Sequence, residues 1–137
     1  MANHLTLGAL GESIAADHLQ KNGYRIVAKN VHVSKNEIDI IAQDDSFLVF
    51  VEVKTRSVQH EGSSLYGSPA RAVDSKKRTN TVKAAIGYLK THYTDKQPRI
   101  DVIEVYMKER DVEKSISPQV LRINHIRNAF DAKGRKH

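Results

Sequence analysis

Apolar residues recur along this chain with two periods, and the switches between them lay out the expected elements. From Thr6 to Asn22 the period is helical: Leu7, Ile14, Ala15 and Leu19 recur at helix spacing, Lys21 falls in the last turn, and Gly23 suits the C′ position. Glu12 breaks the scheme. Ala15, Ala16 and Leu19 follow it at i+3, i+4 and i+7, so its carboxylate shares the stripe that should face the core. The period then shortens to two. Residues 24–33 read as a strand with a break near Lys29-Asn30, and further strands are expected over about 37–42 and 47–55. The "DDS" at 44–46 favours an antiparallel hairpin between the last two.

Residues 57–68, "SVQHEGSSLYGS", are polar and glycine-rich and read as a mobile loop. Asp74 suits the N-cap of a helix over about 75–93, whose apolar stripe is Val82, Ala85, Ile86, Leu89 and Tyr93. Pro98 opens a strand over 99–107, and "VLRI" at 120–123 adds a short one. "NHIRNAFDA" reads as a terminal helix capped by Asn124, followed by a basic tail at 131–137. The expected organisation is a single domain over 1–137 with a core at about 7–130. There is no internal repeat.

The charges in the greasy hairpin are the first sign of chemistry. Side chains alternate along a strand, so Glu37 and Asp39 share one face, and Glu52 and Lys54 share one face of the next strand. With a turn of two residues or four, paired positions sum to 91. Asp39 then lies opposite Glu52, and Glu37 opposite Lys54. Two carboxylates facing each other across a sheet repel, and burial sharpens the conflict unless a proton or a cation resolves it. Mg²⁺ and Mn²⁺ take hard oxygens, commonly one or two carboxylates completed by waters and phosphate oxygens. The bland alternative is an ordinary Glu37–Lys54 cross-strand ion pair, since an acid followed two residues later by lysine is common in any chain. Against it, Leu48, Val49, Phe50, Val51 and Val53 cover both faces of that strand, which should therefore be central, where unpaired charge is expensive.

Composition narrows the field. A chain of 137 residues can bury a core without metals or disulfides, and with no cysteine it offers neither thiol chemistry nor a thiolate zinc site. Seven histidines show no HxxxH-like grouping, and "GALGES" lacks the lysine and preceding strand of a P-loop. Residues 1–20 carry Glu12 and Asp17 with no unbroken apolar run, and no window reaches the roughly 18 apolar residues of a membrane span, so no membrane partner and a cytoplasmic location are expected. A net charge of +6 suits an anionic partner such as nucleic acid.

The helix acid in "GES", then "EID", a turn and "VFVEVKTR", in an αβββαβ order, resemble the PD-(D/E)XK nuclease superfamily. More narrowly, the stretches from "LGALGESIAADHLQKNGY" through "GSPARAVDSKKR" to "RIDVIEV" and "INHIRNAF" resemble the YraN-like family of small bacterial predicted endonucleases. The resemblance spans about residues 7–130 and implies a restriction-endonuclease-like α/β fold, a central mixed sheet flanked by helices. It also implies Asp39, Glu52 and the Val53 carbonyl as ligands of Mg²⁺ or Mn²⁺, Lys54 as the catalytic lysine, and Glu12 approaching the metal directly or through water, as in Holliday-junction-resolvase-type members. Where the family usually carries glycine before "EID", this chain has Asn36, a residue that tolerates left-handed backbone.

Lys76, Lys77 and Arg78 begin a helix, where the dipole disfavours cations, so phosphate contact would account for them, and Lys76 aligns with a lysine of the family pattern. A solvated face is the plainer account of Lys77 and Arg78. Arg56 joins these as a nucleic-acid contact, and Tyr66 as a residue that could stack on a base or pack on its own protein. Asp101, two residues after Arg99, reads as a structural ion pair or hydrogen bond rather than a metal contact. The expected function is a metal-dependent endonuclease acting on branched or damaged DNA, for which a homodimer would suit the cutting of two strands. The alternatives are a nuclease-fold protein that binds nucleic acid without cutting, and a glycosidase-like carboxylate pair. The absence of tryptophan and the basic balance count against the last.

Overall fold

The computed structural model describes residues 6–58, 75–108 and 119–130. Helix α1 (Leu7–Lys21) starts where Thr6 caps it, the hydroxyl accepting from the Ala9 N–H at 3.0 Å, and ends before Gly23 at φ 90°, a left-handed position that glycine takes without a Cβ clash. Strands β1 (Arg25–Val33), β2 (Asn36–Gln43) and β3 (Phe47–Val58) follow, then α2 (Ser75–Thr91), β4 (Gln97–Lys108) and β5 (Gln119–Ile126). The five strands form one sheet in the order β1-β2-β3-β4-β5, antiparallel except for β3 and β4. A parallel neighbour cannot be reached by a hairpin, and α2 occupies that crossover. This is the restriction-endonuclease-like αβββαβ topology.

Alternation puts a different core on each face. Leu19 and Ala15 of α1 pack on Ile40, Val49, Val51, Ile103 and Val105. Val82, Ala85 and Tyr88 of α2 pack on Ile41, Leu48, Phe50, Ile100 and Val102. Each Val, Leu, Ile or Phe side chain among them, taken fully from water, contributes roughly 1.5–3 kcal/mol. Because β3 and β4 are covered on both faces, a charge placed on either must find a partner inside the protein.

Five expectations need correction. The strand at 120–123 continues through Asn124 and His125 to Ile126, so Asn124 is a strand residue and not a helix cap. Its partners across the ladder, Glu104 for Asn124 and Ile103 for His125, hold a segment whose local pattern suits either state. On α2 the buried side is Thr81, Val82, Ala84, Ala85 and Tyr88; Ile86 is 45% exposed and Tyr93, beyond the helix, 93%. Strand β3 extends into the stretch read as loop, ending at Val58. Asn36 does not carry the left-handed backbone: Ser34 does, at φ 58°, in the two-residue turn that closes β1 on β2. The break expected near Lys29-Asn30 is split in two, a bulge between Ile26 and Ala28 and a left-handed Asn30 at φ 53°. The Asp74 cap, Tyr66, the rest of the expected loop and the tail at 131–137 lie outside the described residues.

Candidate metal centre

The β2–β3 hairpin turns on Asp44, whose Oδ1 accepts from the N–H groups of Ser46 at 2.9 Å and Phe47 at 2.7 Å. The resulting register pairs Gln43 with Leu48, Ala42 with Val49, Ile41 with Phe50 and Ile40 with Val51, every pair summing to 91. The next step would set Asp39 against Glu52, and there the ladder stops. Oδ2 of Asp39 accepts from the Val53 N–H at 2.8 Å, so a carboxylate stands where a backbone carbonyl would continue the sheet. The strands open at the position of the charges.

Glu52 lies beneath α2 at 4% exposure. Its Oε1 is 3.0 Å from the Thr81 hydroxyl, which also lies 3.1 Å from the Lys77 carbonyl; a single hydroxyl proton cannot serve both. Oε2 is 3.0 Å from Nζ of Lys54 and yet has no hydrogen bond. The two observations agree if the ammonium sits off the lone-pair directions, giving charge attraction without a hydrogen bond. A buried carboxylate oxygen in that condition is costly. It also has the character of a hard oxygen donor awaiting a cation, so the residues present fit a divalent metal.

Asp39 is held above the usual carboxylate range, first by burial and then by the charge of Glu52 and Glu37, against the Val53 N–H and the charge of Lys77. Glu12 is raised too, by burial, then by Asp39 and Glu37, with Lys29 and Asn30 opposing. Its approach to the sheet depends on Gly11, where a Cβ would collide with the Thr55 side chain of β3. The four acid and lysine positions therefore form a chain of neighbours, Glu12 to Asp39 to Glu52 to Lys54. They are not a closed cage: among the described residues, no group of three or more His, Asp or Glu side chains could hold a metal ion by itself.

In place of the alternative Glu37–Lys54 ion pair stand two others, Glu37 with His32 at 3.2 Å and Lys54 with Glu52. Lys76 is exposed, Lys77 acts on Asp39, and Arg78 is half-buried. Arg56, on the same face of β3 as Glu52 and Lys54, has a buried Nε without a hydrogen bond. Asp101 is the ion pair the sequence suggested, bound by Arg99. Two residues of this face escaped the sequence reading. Thr81 carries no signal, since it looks like any helix threonine. Glu104 does carry one: it interrupts the apolar run "VIEVYM" just as Glu52 interrupts "VFVEV", and it is 2% exposed.

Residues 11–105 match the family described as "Uncharacterised protein family UPF0102", a stretch that includes Glu12, Asp39, Glu52 and Lys54. A UPF0102 protein of Caldanaerobacter subterraneus subsp. tengcongensis is 41% identical over 129 residues, covering 93% of this chain and 97% of the relative. One from Syntrophomonas wolfei is 41% identical over 125 residues, 90% and 96% of the two chains. One from Flavobacterium psychrophilum is 39% identical over 130 residues, 95% and 98% of the two. No helix among the described residues is long and apolar enough to cross a membrane.

Proposed function

This chain belongs to the UPF0102 family, and from that membership and the carboxylates at the opened hairpin we propose a metal-dependent endonuclease that hydrolyses DNA phosphodiester bonds, preferring branched or damaged DNA. Family and fold are consistent with the PD-(D/E)XK nuclease superfamily. The observation that carries the reading is the buried Oε2 of Glu52, without a hydrogen bond, at the register position opposite Asp39, one step beyond the last ladder pair.

In this reading Asp39, Glu52 and the Val53 carbonyl hold Mg²⁺ or Mn²⁺, with Glu12 contributing directly or through a water. When bound, the metal supplies Lewis acidity toward a phosphoryl oxygen and acidifies its water. Thr81 steadies the Glu52 carboxylate. Lys54 orients the attacking water and offsets charge that builds on the phosphate, where a fixed donor stabilises the transition state more than the ground state. Arg56, Lys76, Lys77, Arg78 and Tyr66 contact the strand, the basic groups through phosphates and the tyrosine by stacking on a base.

The test is cleavage of linear duplex, single strand, flap and four-way junction with Mn²⁺, Mg²⁺ or EDTA, comparing wild type with Asp39→Ala and Glu52→Ala. Cutting that needs the metal and drops at least about 10³-fold in both variants, a barrier change of roughly 4 kcal/mol, is expected. Undiminished activity in both would sink the reading. A second reading, a nucleic-acid-binding protein that does not cut, is favoured by the lack of a three-ligand group among the described residues. It calls for junction binding by wild type that is indifferent to Mn²⁺ and unaccompanied by cleavage.

A further inference from the structure

On the sheet face that packs against α2, the parallel register sets Glu52 beside Val102, Lys54 beside Glu104 and Arg56 beside Tyr106. Neighbouring strands stand about 4.8 Å apart, so Glu104 is the carboxylate one strand over from Lys54. It is 2% exposed, and its Oε1 accepts from Nδ2 of Asn124 on β5 at 2.7 Å. Asn124 is its direct partner in the antiparallel register, so Lys54, Glu104 and Asn124 form a row across three strands. Nothing proposed above uses this buried carboxyl group.

The Lys54 ammonium rests instead on Glu52, 3.0 Å from Oε2. That oxygen is the one proposed to hold the divalent cation, and two cations on one oxygen repel strongly in a desolvated site. Arrival of the metal must displace the ammonium. We infer that Glu104 is a positioning residue for Lys54: it receives the ammonium when the metal takes Glu52, and so holds the lysine over the sheet face where the phosphate is attacked. Asn124 anchors the receiving carboxylate from the far side. The inference rests on the metal-dependent reading of the same site.

Mn²⁺ titration by calorimetry of wild type, Glu104→Gln, Lys54→Met and the double variant tests it. Glu104→Gln should weaken Mn²⁺ binding about tenfold when Lys54 is present, since the stranded ammonium competes for Glu52, and less than about twofold in the Lys54→Met background. Equal weakening in both backgrounds, or none in either, overturns the inference and leaves the metal site intact. Failure of wild type to bind Mn²⁺ overturns it together with the endonuclease reading. Should Glu104→Gln fail to fold, a wild-type crystal soaked in Ca²⁺ decides. Nζ of Lys54 should lie within hydrogen-bond distance of Glu104; an ammonium still on Glu52 beside the bound ion overturns the inference.

Discussion

Asp101 and Glu52 are two buried carboxylates on neighbouring central strands, on opposite faces of one sheet, and they are treated very differently. Asp101 is fully buried and accepts from four donors: Arg99 Nε at 2.9 Å, Arg99 Nη2 at 3.0 Å, His125 Nε2 at 2.7 Å and the Asn128 N–H at 2.9 Å. Burial would raise its pKa, but those bonds, His125 first, outweigh burial and hold the carboxyl below the usual range. Glu52 has one shared hydroxyl and an ammonium in poor geometry. A carboxylate with every lone pair answered ties strands together. One left half-answered in the same interior is a place where something else is expected to bind.

Removing each carboxylate should separate scaffold from site, and Asp101 gives the largest loss of stability. Asp101→Ala leaves Arg99 and His125 without their carboxylate partner and should cost about 3–5 kcal/mol, enough to lower the melting temperature by roughly 10 °C or more. Glu52→Gln keeps the Thr81 partner and should stay within about 1 kcal/mol of wild type. Thermal melts of the two variants without metal make the comparison; equal losses would erase the distinction between them.

Asp39 sharpens the contrast from the other direction. Its raised pKa means that the folded protein holds the proton more tightly than the unfolded chain. Its contribution is therefore present below the ordinary value near 3.8 and lost as pH rises through the folded one, so at neutral pH the ionised group is a burden. Asp39→Asn retains an acceptor for the Val53 N–H and removes the charge. It should raise the metal-free melting temperature at neutral pH by roughly 3–5 °C, about 1 kcal/mol in a domain of this size. Mn²⁺ at about 100 times its Kd should stabilise wild type by roughly 2.7 kcal/mol and the variant much less. A destabilised Asp39→Asn, or equal response to Mn²⁺, would contradict the account.

How much of this was legible in the sequence depends on the range of the interaction. The register of Asp39 and Glu52 followed from turn length and alternation alone, both local rules. The rupture of the ladder at those residues did not, because it depends on a carboxylate taking the Val53 N–H. Glu12 was marked by its place on a core stripe, but the close contact at Gly11 and Thr55 that brings α1 down has no local signature. Residues 124–126 satisfy a helical pattern locally and are strand because their ladder partners lie on β4, some twenty residues earlier in the chain. The half-buried face of α2 was drawn too wide because Ile86 and Tyr93 satisfy helix spacing without meeting the sheet.

The smallest effect concerns the outer end of the Asp101 cluster. His125 donates through Nε2 to Asp101, so when neutral its Nδ1 accepts, and His18 Nε2, 3.2 Å away, donates. His18 is lowered from its usual pKa by burial first, then by the charges of His125 and Arg127, with Asp17 opposing. A base with a depressed folded pKa contributes stability that is present above its ordinary value, about 6.5, and lost as pH falls below it. His18→Gln keeps a donor for His125 and removes the titration. Between pH 7 and pH 5 the melting temperature of wild type should therefore fall more than that of His18→Gln, by about 1–2 °C for a pair only partly withdrawn from solvent. Parallel profiles would place the acid sensitivity elsewhere. A wild-type excess would show that the Asp101 scaffold loosens by taking up protons, whereas the face proposed to hold a metal should respond to a cation.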